Sequence, residues 1–170
     1  QPGGEVEIRA IFNHKVTGAR ICVVSGSVIY FGTDNQTWDR TKTAIVNAAN
    51  TGGVGGSYVD GAINERGKPG LEIARQQKVT QDGPISVGGA NIVGPQQFGS
   101  LFGSYVINAV GPNYNSIPNT AEANQLLTNA YVVAMRLATT NQIENIGFCL
   151  LSAGVFARND EEKVNNIRLG

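Results

Sequence analysis

Residues 44–50 read Ala44-Ile45-Val46-Asn47-Ala48-Ala49-Asn50, and the next seven are Thr51-Gly52-Gly53-Val54-Gly55-Gly56-Ser57. An apolar, β-prone run thus passes through a loop of very small residues into a helix that begins near Val59. The same grammar returns later in the chain. Phe148-Cys149-Leu150-Leu151 leads through Ser152-Ala153-Gly154-Val155-Phe156 into a helix opening near Asp160. Strand, small-residue loop and helix start in that order is the unit of an α/β sheet, in which ligands sit beyond the carboxyl ends of the strands. Unpaired N–H groups at a helix N-terminus and in a glycine-rich nest suit phosphate oxygens. Neither loop is a P-loop, because the Gly-Lys-Ser/Thr ending is absent, and neither carries the Gly-x-Gly-x-x-Gly fingerprint directly after a strand.

Working outward, residues 5–12 alternate Val, Ile and Phe with charged or small residues and predict a first strand. Residues 20–24 and 28–31 are β-rich on either side of Ser25-Gly26-Ser27 and predict one strand with a kink. Residues 43–47 form the strand of the first loop. Residues 59–66 and 71–78 predict two helices separated by Gly67-Lys68-Pro69-Gly70, and residues 86–93 and 104–110 predict two further strands. Asn119 with Glu122 is a capping-box pattern ahead of Leu127, Ala130, Ala134, Leu137 and Ala138 at helical spacing. Residues 146–151 are an unbroken apolar run, a buried strand, and Asn159 with Glu162 opens a last helix. The expectation is one α/β domain with a largely parallel or mixed sheet covered on both faces.

Composition narrows the function. The 170 residues are 41% hydrophobic, enough for one core and too few for two. Thirteen basic residues balance thirteen acidic ones, which removes the footprint of a protein that grips a nucleic acid by its phosphates or reads its grooves. No apolar run approaches the roughly 20 residues that a membrane helix needs, and the start lacks a signal-peptide pattern. Cys22 and Cys149 each sit in an apolar run and read as small core residues in a reducing, intracellular compartment, cytoplasmic or nuclear. His14 is the single histidine, which argues against a zinc site or a nucleophile–histidine couple. No metal and no cofactor are expected. The 22 glycines are about double the usual share of about 7%, and their clustering points to loops that approach something closely.

The segment AIVNAAN at 44–50, the glycine stretch, Val59-Asp60-Gly61-Ala62-Ile63, YVINAVGPNY at 105–114 and SAGVF at 152–156 occur in an order that resembles the macrodomain family. The resemblance runs from about residue 5 to residue 170. It implies a three-layer α/β/α fold with a mixed central sheet, filling residues 1–170 as a single macrodomain without the family's usual last strand and helix. It also implies that the partner is ADP-ribose or an ADP-ribosylated macromolecule. Some members hydrolyse ADP-ribosyl groups, so removal of mono-ADP-ribose by a glycohydrolase-type attack is one expectation. The alternatives are a non-catalytic reader, a binder of another nucleotide diphosphate, and a scaffold with a vestigial pocket.

Carried over residue by residue, the resemblance implies that Asn50 contacts the distal ribose and that Asp60 helps to activate water beside it. Asn47, Ala49, Gly55, Gly56, Ser57 and Val59 fall along the first ligand loop. Ser152, Ala153, Gly154, Val155 and Phe156 form the second phosphate loop, with Phe156 near the distal ribose. Ser27 and Val28 stand where the family has an adenine-side Gly-Asp-Ile element, which is Gly26-Ser27-Val28 here. Asn64 replaces a histidine found in several hydrolytic members, and Ala157-Arg158 follows where the pattern has glycine. Plainer readings stand beside these: Asn50 as a turn residue, Asp60 as an acid favouring the helix dipole, Phe156 as core, and His14 and both cysteines as structural.

Overall fold

The structure, a computed structural model, describes residues 7–35, 37–51 and 58–170. In chain order the elements are β1 (Glu7–Asn13), β2 (Arg20–Ser25), β3 (Thr43–Ala48), α1 (Tyr58–Arg66), α2 (Gly70–Asp82), β4 (Ala90–Val93), β5 (Tyr105–Ala109), α3 (Thr120–Thr140), β6 (Asn145–Phe148) and α4 (Asp160–Leu169). Short 3₁₀ turns lie at Val28–Tyr30 and Arg40–Lys42.

Strand β3 is buried almost throughout, as a strand covered on both faces must be. It pairs in parallel with β5 on one side and β6 on the other, and β4 joins β5 antiparallel, giving a mixed sheet in the order β4-β5-β3-β6. Alternation along the strands sends Ala44, Val46, Ile107 and Ala109 to the face covered by Leu127, Ala130, Ala134 and Ala138 of α3. Ile45, Val93 and Val106 go to the opposite face, where Ile63 of α1 and Leu71 of α2 complete a second core. Sheet and helices therefore form the expected α/β/α layers.

Both capping readings hold. Asn119 accepts from the Glu122 N–H at 3.1 Å, and Asn159 accepts from the Glu162 N–H at 2.8 Å. Each satisfies one orphan donor of a first helical turn.

Four expectations need correction. Residues 28–31 are no strand, because the Ser27 hydroxyl accepts from Ile29 N–H and closes a 3₁₀ turn. Such a local side-chain bond competes with extended pairing. Residues 86–89 precede β4 as a turn, with Gly89 N–H donating to Ser86 O at 2.8 Å. The run at 146–151 stays in the sheet only to Phe148, and the Leu151 N–H donates to the Tyr131 hydroxyl of α3 at 2.8 Å. Cys22 is exposed on β2 rather than in the core.

Strands β1 and β2 form a separate antiparallel hairpin whose Ile8, Phe12, Ile21 and Val23 are exposed. His14 is structural there, its Nδ1 accepting from the N–H groups of Val16 and Thr17 across the turn. Among the described residues, no helix is long and apolar enough to cross a membrane.

Gly147 in β6 lets the Phe31 ring lie directly on the strand, since a Cβ there would meet ring carbons at 2.6–2.9 Å. Phe31 in turn packs on Trp38, with centroids 5.1 Å apart. Gly147→Ala gains roughly 0.5–1 kcal/mol of strand propensity, while overpacking costs about 1–3 kcal/mol. Overpacking wins, and urea unfolding should show a net loss of about 1–2 kcal/mol with an unchanged m-value.

Candidate functional site

Strands β3 and β6 are parallel neighbours, so the loops that follow them open at the same end of the sheet. Ala49, Asn50 and Thr51 leave the sheet there after β3, and the loop at 152–156 follows β6 at the same end.

The second loop is fully described. Ser152 takes a left-handed backbone (φ 54°) and is buried. Its hydroxyl donates to Pro112 O at 2.7 Å, and its carbonyl accepts from Asn166 Nδ2 of α4 at 2.7 Å. The Val155 carbonyl accepts from Asn115 Nδ2 at 3.0 Å, the Phe156 carbonyl from Tyr114 N–H at 2.8 Å, and the Gly154 carbonyl from Ala157 N–H at 3.1 Å. The carbonyls are thus turned into the protein. Among the described residues, the N–H groups of Gly154, Val155 and Phe156 make no hydrogen bond.

Gly154 and Val155 are exposed, Ala153 and Phe156 half-buried, and a Cβ on Gly154 would meet nothing within 4 Å. Gly111 has to be glycine for the loop's sake, because a Cβ there would run into Ser152 Oγ. Arg158 is bound instead by Glu162, with Nη2 to Oε2 at 2.6 Å, and by Thr120 Oγ1 at 3.0 Å.

Of the first loop, Gly55, Gly56 and Ser57 lie outside the described residues. Ala49 is buried, and its N–H donates to Ala109 O at 2.9 Å, which carries the β3–β5 pairing one residue past the strand. Asn50 is half-buried at the head of the loop. Val59 and Val28 pack against the α1/α2 core, and Ser27 is exposed with its hydroxyl engaged as a cap.

Asp60 is not the exposed acid that a helix start usually carries. It lies in the first turn of α1, yet it is completely buried and ion-paired with Arg75 of α2, Nη1 to Oδ1 at 2.7 Å. The same oxygen accepts from Asn47 Nδ2 of β3. Arg75 Nη1 also donates to Asn64 Oδ1 at 2.6 Å.

Asn47 continues the chain of bonds sideways. Its Nδ2 donates to Asn108 Oδ1 at 3.2 Å, and Asn108 Nδ2 donates to Asn91 Oδ1 at 3.1 Å. These three asparagines are direct register partners on β3, β5 and β4. Sequence reasoning missed Arg75, Asn108 and Asn91. The available signal was an asparagine in the same place within two apolar strands, Ile45-Val46-Asn47-Ala48 and Val106-Ile107-Asn108-Ala109.

Cys149, at the foot of the second loop, is no nucleophile. Burial pushes its thiol up to about 11, only partly offset by the backbone N–H of Ala48, so at neutral pH it is protonated and unreactive.

Comparison with known proteins comes at this point. A family model described as the macro domain matches residues 46–166. A macro domain-containing protein of Caldanaerobacter subterraneus is 40% identical over 120 residues, 69% of this chain and 65% of its own length. An O-acetyl-ADP-ribose deacetylase of Klebsiella pneumoniae is 39% identical over 118 residues, with the same coverage of 69% and 65%. This chain therefore spans 65% of the length of both relatives. A solved structure of the Oceanobacillus iheyensis macrodomain with ADP superposes with a TM-score of 0.72 at 27% identity, covering 96% of this chain and 79% of that one.

The buried ion pair makes one stability prediction. Removing one member of such a pair leaves the other as an uncompensated charge and costs about 3–5 kcal/mol. Asp60→Ala should lose stability on that scale in urea unfolding, whereas an exposed acid at a helix start contributes only about 0.3–1 kcal/mol.

Proposed function

The chain belongs to the macro domain family, and we propose that it binds ADP-ribose and works as a reader of ADP-ribosyl groups rather than as a hydrolase. The observation that carries the binding half is the loop at 152–156. Its carbonyls are held by Asn166, Asn115, Tyr114 and Ala157, while the N–H groups of Gly154, Val155 and Phe156 make no hydrogen bond among the described residues. A fixed row of amides beside a helix start is an anion receptor that needs no lysine or arginine. It fits a ligand with two phosphates and suits a chain with zero net charge. In this reading Asn50 meets the distal ribose, with Asn47, Ala49 and Val59 framing the first loop and Gly55, Gly56 and Ser57 within it. Ser27 and Val28 border the adenine, and Phe156 flanks the sugar.

The reader half rests on Asp60. A general base must reach the proton that it removes, and here the carboxylate is buried with one oxygen shared between Arg75 and Asn47. Asn64, which might have been a histidine base, is instead a partner of Arg75. One observation favours hydrolysis as a second reading. Asp60 Oδ2 has no hydrogen-bond partner among the described residues, so that oxygen can still accept from a water, and a relative is named as an O-acetyl-ADP-ribose deacetylase.

Two measurements test this. Calorimetric titration should show ADP-ribose binding that Gly154→Val abolishes, with the unfolding midpoint unchanged, since the new side chain projects into open space within the fold. Unchanged affinity in the folded variant would remove the phosphate-loop assignment. The same sample, incubated with mono-ADP-ribosylated protein, with ADP-ribosylated nucleic acid and with O-acetyl-ADP-ribose, should release no product above the uncatalysed rate. Turnover on any of the three that is lost in Asp60→Asn would make the domain a hydrolase.

A further inference from the structure

Resting on the ADP-ribose reading, we infer that Arg75 is a positioning residue of the ligand site, setting the half of the cleft that meets the distal ribose. Arg75 lies on α2, away from both loops in sequence, and its side chain is wholly buried. A buried guanidinium is retained at a high desolvation cost, which good geometry and further hydrogen bonds must offset. Its geometry is specific. One nitrogen, Nη1, reaches Asp60 Oδ1 at 2.7 Å and Asn64 Oδ1 at 2.6 Å, two residues one turn apart on α1. Asp60 Oδ1 is in turn held by Asn47 of β3.

The consequence follows from where these residues stand in the chain. Asn47 lies three residues before Asn50, and Asp60 lies in the first turn of α1. Arg75 therefore fixes the start of α1 against the end of β3, and with it the backbone from which Asn50 leaves the sheet. The loop at 152–156 hangs from different anchors: Pro112, Tyr114, Asn115 and Asn166. Losing Arg75 disturbs one half of the cleft and leaves the other in place. A ligand that uses both halves then suffers more than one that ends at the diphosphate.

The experiment compares ADP-ribose with ADP, which lacks the distal ribose, by calorimetry on the whole chain. In Arg75→Met the ADP affinity should fall by no more than about threefold and the ADP-ribose affinity by about tenfold or more, so that the ratio of the two collapses. Arg75→Lys, which keeps a charge for Asp60, should return part of that ratio. Should Arg75→Met not fold, Asn64→Ala decides the matter, because it removes the second tether without touching a charge. It should lower the ratio by about threefold. A merely structural arginine gives a different result, with both ligands weakened by the same factor in every variant, and that result overturns the positioning role. So does a parent protein that binds ADP and ADP-ribose equally. A parent that binds neither ligand overturns the ADP-ribose reading itself, and the positioning role with it.

Discussion

Asp60 Oδ1 is the point at which three elements of the structure are joined: α1 supplies the carboxylate, β3 donates to it through Asn47, and α2 donates through Arg75. All three side chains are fully buried. Charges in such a place are held only when each is met by opposite charge and by hydrogen bonds, since desolvation costs several kcal/mol per ion. Here Asn64 and Asn47 supply these bonds from flanking positions. Neither helix can slide over the sheet without breaking the whole set, so this polar knot fixes α1 and α2 more sharply than the surrounding leucine and isoleucine contacts can. Apolar packing is tolerant of small shifts, and hydrogen-bond geometry is not.

The asparagine ladder extends that constraint across the sheet. Asn91, Asn108 and Asn47 stand side by side on β4, β5 and β3, on the α1/α2 face where Ile45, Val93 and Val106 also lie. Carboxamides carry both a donor and an acceptor, so they can pass a bond from strand to strand. A one-residue slip of any strand would turn its asparagine to the α3 face, among alanines and leucines with nothing to bond. Register and polar network thus enforce each other.

The segments that leave β3 and β6 at this end of the sheet are anchored by different means. The loop at 152–156 is shaped by tethers to its own carbonyls and by a left-handed Ser152, for which Gly111 makes room. The β3–α1 side is shaped from beneath, by the ion pair. The first device leaves the N–H groups of Gly154, Val155 and Phe156 without a hydrogen bond among the described residues. The second buries the Asp60 carboxylate and engages one of its oxygens with Arg75 and Asn47, which fastens α1 to α2 and to β3.

Much of this was legible in residue order alone. Alternating apolar periodicity, two small-residue loops after apolar runs, and Asn119 and Asn159 each three residues ahead of a glutamate determine the α/β class and the main helices. These signals are local: each depends on residues within a turn or a strand of one another. The errors at 28–31 and 86–89 also arose locally, where a Ser27 cap and a turn at Ser86 overrode β propensity, whereas at 149–151 a tertiary bond to Tyr131 of α3 did so. What only the tertiary structure decided is the state of Asp60. Whether a carboxylate faces water or an arginine depends on which helix face meets which strand. Fifteen positions separate Asp60 from Arg75 and 61 separate Asn47 from Asn108, and no periodicity in the chain records the folding that brings them together.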